Sequence, residues 1–190
     1  MSIQWMNDEV TTDVLEQTWA RRAEMLAEEV AEDDGGEHLS IVLVQLGQEV
    51  YGLEAQYVYD ARPLERLTPV PRAPVWMAGV VNVRGRIYPV LDLARFLDLP
   101  AASNGDGAYL VVVQSEALEL ALKVDNVLSV IALPESHLQE AADTLNIPAT
   151  IVRGVMQNDD GDPDLPAFLV VLELPQLLSD PQLIIHEELV

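Results

Sequence analysis

The stretch Gly79-Val80-Val81-Asn82-Val83-Arg84-Gly85-Arg86-Ile87-Tyr88-Pro89-Val90-Leu91-Asp92-Leu93 decides the fold class. Runs rich in β-branched residues flank Arg84-Gly85, and Gly85 tolerates positive φ, so the segment reads as two strands joined at a tight turn. Asp92 then stands where its carboxylate can cap a short helix, Leu93-Ala94-Arg95-Phe96-Leu97. Upstream, Ile41 to Leu46, a Gly47-Gln48 break and Glu49 to Leu53 read as a hairpin, with Tyr57-Val58-Tyr59 as a further strand. Between these lies Pro69-Val70-Pro71-Arg72-Ala73-Pro74, whose three prolines cannot join a central ladder and mark a rigid connector. Asn104-Gly105-Asp106-Gly107 closes the first half.

The second half repeats the plan. Leu120 to Val127 aligns with Tyr51 to Val58, and Gly154-Val155 with Gly79-Val80. Phe168 to Leu174 stands where Ile87 to Leu93 stood, and Pro175 falls at the first turn of a closing helix. An internally duplicated β unit predicts an all-β fold of two barrel-like lobes that bury their apolar faces together. The first lobe is expected over about residues 39–100, the second over about 107–178, and a tail over 179–190.

Residues 1–38 read differently. Val10, Val14, Leu15, Trp19, Met25, Leu26 and Val30 fall roughly on one stripe, with Thr12 as N-cap, which predicts an amphipathic helix with a carboxylate-rich outer face. Asp33-Asp34-Gly35-Gly36 ends it. Such a helix either packs on its own domain or serves a partner, self-association included.

Composition narrows the function. With 32 acidic residues against 10 Lys and Arg, the 190-residue chain carries a formal charge of -22, a field that repels nucleic-acid phosphates and anionic lipid headgroups. The same balance suits a protein kept soluble at high salt. Hydrophobic residues make up 49%, enough for a sizeable core. There is no Cys, which excludes disulfides, thiolate catalysis and Cys-based zinc sites and fits a reducing compartment. Neither a secretory signal nor a bilayer-spanning run is legible, so a cytoplasmic location is expected.

No constellation with catalytic spacing emerges, and no cofactor or metal is expected. Asp92 and Asp125 read as a helix cap and a turn acceptor rather than an acid–base pair. The run Asn158 to Asp164 resembles a calcium loop, yet placing Gly161 at the sixth EF-hand position puts Met156 first and Ala167 twelfth, without either end ligand. It reads as a solvated acidic hairpin loop. His38, His137 and His186 lie far apart with no metal-ligand spacing. A metal-dependent carboxylate enzyme built on Asp92 and Asp125 stays a remote alternative.

Together these residues resemble the CheW-like docking proteins of bacterial chemotaxis. The family pattern is a strand ending Tyr-Gly-Ile, a Pro-bearing connector, a Gly-Val-x-Asn-Leu-Arg-Gly hairpin and then Ile-x-Pro-Val-x-Asp-Leu. Here it reads Tyr51-Gly52-Leu53, Pro71-Arg72-Ala73-Pro74, Gly79 to Gly85, and Ile87-Tyr88-Pro89-Val90-Leu91-Asp92-Leu93. The second half adds Val124-Asp125-Asn126-Val127, and the likeness runs from about Leu39 to Leu178. It implies two intertwined SH3-like five-stranded β-barrels around one core, with short helices. It also implies a non-enzymatic, cofactor-free adaptor coupling chemoreceptor cytoplasmic tips to the regulatory domain of a CheA-like histidine kinase. The alternative within that class is an adaptor for pilus motility or another phosphorelay, with a private partner for the N-terminal helix. The implied partner-binding residues are Val58 and Asp60 on an exposed strand, and Asn82 and Arg84 on the hairpin. Arg84 either contacts the partner or braces its own turn. Val83 in place of Leu, the small Ala55, Glu173 in place of Asp and the acidic extension depart from the pattern.

Overall fold

In the computed structural model, residues 38–100, 108–116, 118–140, 147–158, 161 and 165–183 are described. The expected N-terminal helix, most of the acidic loop after Asn158 and His186 lie outside them. Among the described residues ten strands follow in order: β1 (His38–Leu46), β2 (Glu49–Glu54), β3 (Val58–Pro63), β4 (Met77–Val83), β5 (Arg86–Asp92), β6 (Tyr109–Gln114), β7 (Glu119–Val124), β8 (Asn126–Pro134), β9 (Val152–Gln157) and β10 (Phe168–Leu172). Two short helices, α1 (Leu93–Phe96) and α2 (Leu174–Leu178), follow β5 and β10. Residues Ala55–Tyr57 form a 3-10 turn, so β3 begins at Val58, one residue later than the sequence suggests.

The strands form two five-stranded sheets, ordered β8-β1-β2-β10-β9 and β3-β6-β7-β5-β4. Each sheet is completed by a hairpin from the other half of the chain. β1 and β2 join the second-half strands, while β6 and β7 join the first-half strands. The joints are parallel: β2 lies against β10, with Gly52 opposite Val171, and β7 lies against β5, with Ala121 opposite Val90. All other strand pairs are antiparallel.

The exchange explains the sequence texture. Along β6, Leu110 and Val112 face the interior of their own sheet with Val81, Tyr88 and Val90, while Val111 and Val113 face a core shared with Tyr51, Leu53 and Leu172 of the other sheet. β1 divides likewise, Ile41 and Leu43 packing inside with Met156 and Leu169, and Val42 and Val44 entering the shared core. Strands buried on both faces read as continuous apolar runs. β3, at an edge, instead alternates half-buried and exposed residues.

Each barrel is closed by a single bridge from its connector, Thr68 to Val80 and Gln139 to Val155. The connector approaches so closely at Gly79 (φ 150°) that an added Cβ would lie 2.3 Å from the Thr68 carbonyl oxygen, leaving room only for glycine.

Candidate functional site

The implied contact residues fall on one sheet, Val58 and Asp60 on its edge strand β3, Asn82 on the other edge strand β4 and Arg84 in the turn that follows β4. At β3 the register shifts between Val58, opposite Val113, and Asp60, opposite Val112. Tyr59 is thus an extra residue, and a bulge of this kind re-aims side chains. Val58 is half-buried and packs on the shared core. The Asp60 side chain is only 8% exposed and accepts two hydrogen bonds from Arg62, from Nε at 2.9 Å and Nη2 at 2.6 Å. Tyr59, 65% exposed, is the side chain presented to solvent here.

The β4–β5 turn holds Arg84 at φ 51° and Gly85 at φ 87°, both in the left-handed region, as a two-residue turn of type I′ requires. Gly85 adopts this without strain, and Arg84 is the residue forced into it. Asn82 Oδ1 accepts a 2.8 Å hydrogen bond from the Gly85 N–H, so Asn82 holds the turn that carries Arg84. Both side chains are exposed.

A groove of about 290 Å³ separates the two edges. Arg62, Glu65 and Arg66 line one side, Val81, Asn82 and Val83 the other, and Leu110 also contributes. Arg62, the partner of Asp60, and Asn82 therefore line one feature, and Arg84 follows the lining residue Val83 in sequence. Nearby, Arg86 binds Glu119 through two nitrogens at 3.2 and 2.6 Å, and its guanidinium carbon lies 5.5 Å from the centre of the Tyr88 ring. The Tyr88 hydroxyl donates to Glu119 at 3.1 Å. Burial and that hydrogen bond raise the phenol's pKa above its ordinary value.

Tyr59, Arg62 and Arg66 were not singled out from the sequence. A bulge is one extra residue in a register and leaves no mark in a strand's composition. Charge offered a usable signal. Between residues 58 and 95 six arginines (62, 66, 72, 84, 86 and 95) stand against three acids, Asp60, Glu65 and Asp92. That span carries +3, and the rest of the chain, with 29 acids against 4 bases, carries -25.

The carboxylates weighed for catalysis are committed elsewhere. Asp92 Oδ1 accepts from the Arg95 N–H at 3.2 Å, capping α1 as expected, and Oδ2 binds Lys123 Nζ at 2.9 Å. Asp125 Oδ2 accepts from the Gly47 N–H at 2.6 Å, a turn acceptor for a turn far away in sequence. Among the described residues no three His, Asp or Glu side chains gather as metal ligands. His38 begins β1 and His137 ends a 3-10 turn.

Two exchanged barrels, with an arginine-bearing hairpin beside a shallow groove and their central carboxylates spent on caps and turns, define a docking module. Residues 40–182 match the family described as "CheW-like domain". The chain belongs to that family. It is 28% identical to the chemotaxis protein CheW of Treponema pallidum over 77% of this chain and 86% of that one. Identity to CheW of Bacillus subtilis is 30% over 58% and 70% of the respective chains. The scaffolding protein TtCheW from Thermoanaerobacter tengcongensis superimposes with a TM-score of 0.63 at 24% identity, covering 72% of this chain and 90% of that one. The fold is thus the SH3-like barrel pair of CheW scaffolds, and the chain is a non-enzymatic chemotaxis adaptor.

Proposed function

We propose that this adaptor couples chemoreceptor cytoplasmic tips to the regulatory domain of a CheA-like histidine kinase through its β3–β4–β5 face. Val58 and Asp60 set the edge of the contact, Asn82 fixes the hairpin, and Arg84 reaches the partner. The domain spans about residues 39–178, with residues 1–38 as an acidic extension, and it works in the cytoplasm without binding nucleic acid or membrane. No described helix is long and apolar enough to cross a bilayer.

The observation that carries this reading is the charge inversion: the one arginine-rich span of a strongly acidic chain supplies Arg62 and Arg66 to the groove between β3 and β4 and Arg84 to the adjoining hairpin. An acidic chain repels an acidic partner everywhere except at such a face, which fixes docking orientation as well as affinity. The partner surface is therefore expected to carry carboxylates. Titration calorimetry against the cognate kinase regulatory domain tests it. Arg84→Glu is expected to weaken binding by about 10- to 100-fold, in line with reversal of a central interface charge. Unchanged affinity would remove Arg84 from the interface.

A further inference from the structure

Charge is distributed unevenly along the chain. Residues 1–37 carry 11 acids against two arginines, residues 38–57 a net -2 and residues 96–190 a net -14, so only residues 58–95 are basic, at +3. The acids are dense just before the fold begins: residues 24–37 hold seven, with no Lys or Arg.

The place where this segment joins the fold is set by register. β1 begins at His38, and Ile41 lies opposite Glu54, the last residue of β2. The first residues of β1 therefore run beside the 3-10 turn Ala55–Tyr57, which β1 touches and from which β3 leaves. The acidic segment thus enters at the root of β3. At a rise of ~3.3 Å per residue Arg62 stands about 13 Å along that strand from Val58, while 14 residues span at most ~46 Å. On the groove wall Arg66 is exposed and, among the described residues, pairs with no carboxylate, whereas Arg62 is held by Asp60. Glu65 is the one acid among the lining residues, and the exposed Arg84 follows Val83 in the adjoining hairpin.

We propose that residues 24–37 dock onto the groove between β3 and β4 of their own chain, an autoinhibitory contact that an incoming partner must displace. The inference rests on the reading that this face receives a carboxylate-bearing partner. Against the other sections of the chain the segment meets like charge, and only at the arginine-bearing face is its own charge complemented. Tethering holds it there at millimolar effective concentration, so a contact too weak to join separate chains is enough. Occupancy of about half to nine-tenths weakens the partner's apparent affinity about 2- to 10-fold, the reciprocal of the open fraction.

The chain has no cysteine, so Ala31→Cys places a single nitroxide in the segment of the full chain. At low salt the amide resonances of Arg66 and of Asn82 to Gly85 are expected to broaden. The broadening should vanish in a Glu28→Gln/Glu29→Gln/Glu32→Gln/Asp33→Asn/Asp34→Asn background, and in ~1 M salt, where screening reaches only ~3 Å. A segment merely anchored at His38 would broaden the same amides in every case. The proposal is overturned by no broadening, by broadening that survives neutralisation, or by broadening passed from a nitroxide-bearing chain to a separate isotope-enriched one. No partner is present, so the result is independent of the Arg84→Glu titration. A docked segment with partner affinity indifferent to Arg84→Glu overturns the face's role and not the docking, and an undocked segment leaves that role standing. Autoinhibition is read by calorimetry: the neutralised segment should tighten binding of the kinase regulatory domain about 2- to 10-fold, and should gain less in an Arg66→Gln chain. An equal gain in both is general repulsion and overturns the autoinhibitory contact.

Discussion

Replacing Arg153 by methionine keeps most of the side chain's volume and removes the charge that three carboxylates share. Glu54 is 2% exposed, Glu173 26% and Glu135 43%, while the Arg153 side chain is itself 26% exposed. Burial alone would lower the Arg153 pKa, but the Glu135 hydrogen bond and the charges of Glu54, Glu135 and Glu173 outweigh it and raise the value. The guanidinium therefore stays charged under all working conditions. Orphaning one member of a buried pair costs about 3–5 kcal/mol. The lower end applies, because Gln56 Nε2 still donates to Glu54 at 2.6 Å and the exposed Glu135 arm is worth at most ~1 kcal/mol. A loss of about 3 kcal/mol corresponds to roughly 6–12 °C in melting temperature for a domain of this size. Urea denaturation followed by circular dichroism at pH 7 measures it, provided the transition has a single step. A deficit below about 1 kcal/mol at pH 7 would refute the reasoning.

Gly79→Ala should cost at least about 2 kcal/mol, because its Cβ meets the Thr68 carbonyl at 2.3 Å and backbone must move; a neutral melting temperature would contradict the barrel closure described. Asn82→Ala removes the Gly85 hydrogen bond at the exposed hairpin and should cost about 0.5–1.5 kcal/mol, with faster amide exchange confined to residues 82–86. Exchange unaltered there would show that Asn82 does not hold the turn. Tyr51, fully buried and donating to Glu49 at 2.6 Å, has its phenol pKa raised above the ordinary 10.0 by burial first and by Glu49 second. Its contribution to stability is whole below pH 10 and is lost as pH climbs further, because the unfolded chain ionises first. A Tyr51→Phe chain that loses a tyrosinate step near pH 10 from the folded protein would contradict this.

Much of the architecture was legible because local chemistry dictates it. The Arg84-Gly85 turn needs a positive φ at both residues and has it, and Asp92 had one evident task, the cap on α1. The alignment of Leu120 to Val127 with Tyr51 to Val58 coincides with the observed register at both parallel joints. What stayed hidden is non-local. Which hairpin completes which sheet is not written in apolar patterns that both share, and Tyr57 reads as strand although the chain turns there to leave β2. Arg153 gave no sign of its role, since its three acidic partners come from β2, from the turn after β8 and from the approach to α2. At the candidate site, Asn82 and Arg84 stood out through the hairpin, whereas the bulge that presents Tyr59 appears only in the pairing with β6.

The crossed arrangement of hairpins also sets an order of completion during synthesis. The sheet ending in β4 has all its strands once Val124 has left the ribosome, but β1 and β2, made first, gain their last neighbour only with Leu172. At ~5–20 residues per second that wait is on the order of ten seconds. Through it, the β2 ladder edge facing β10 stays open to any other strand. The first strands to be translated are thus the last to be sealed.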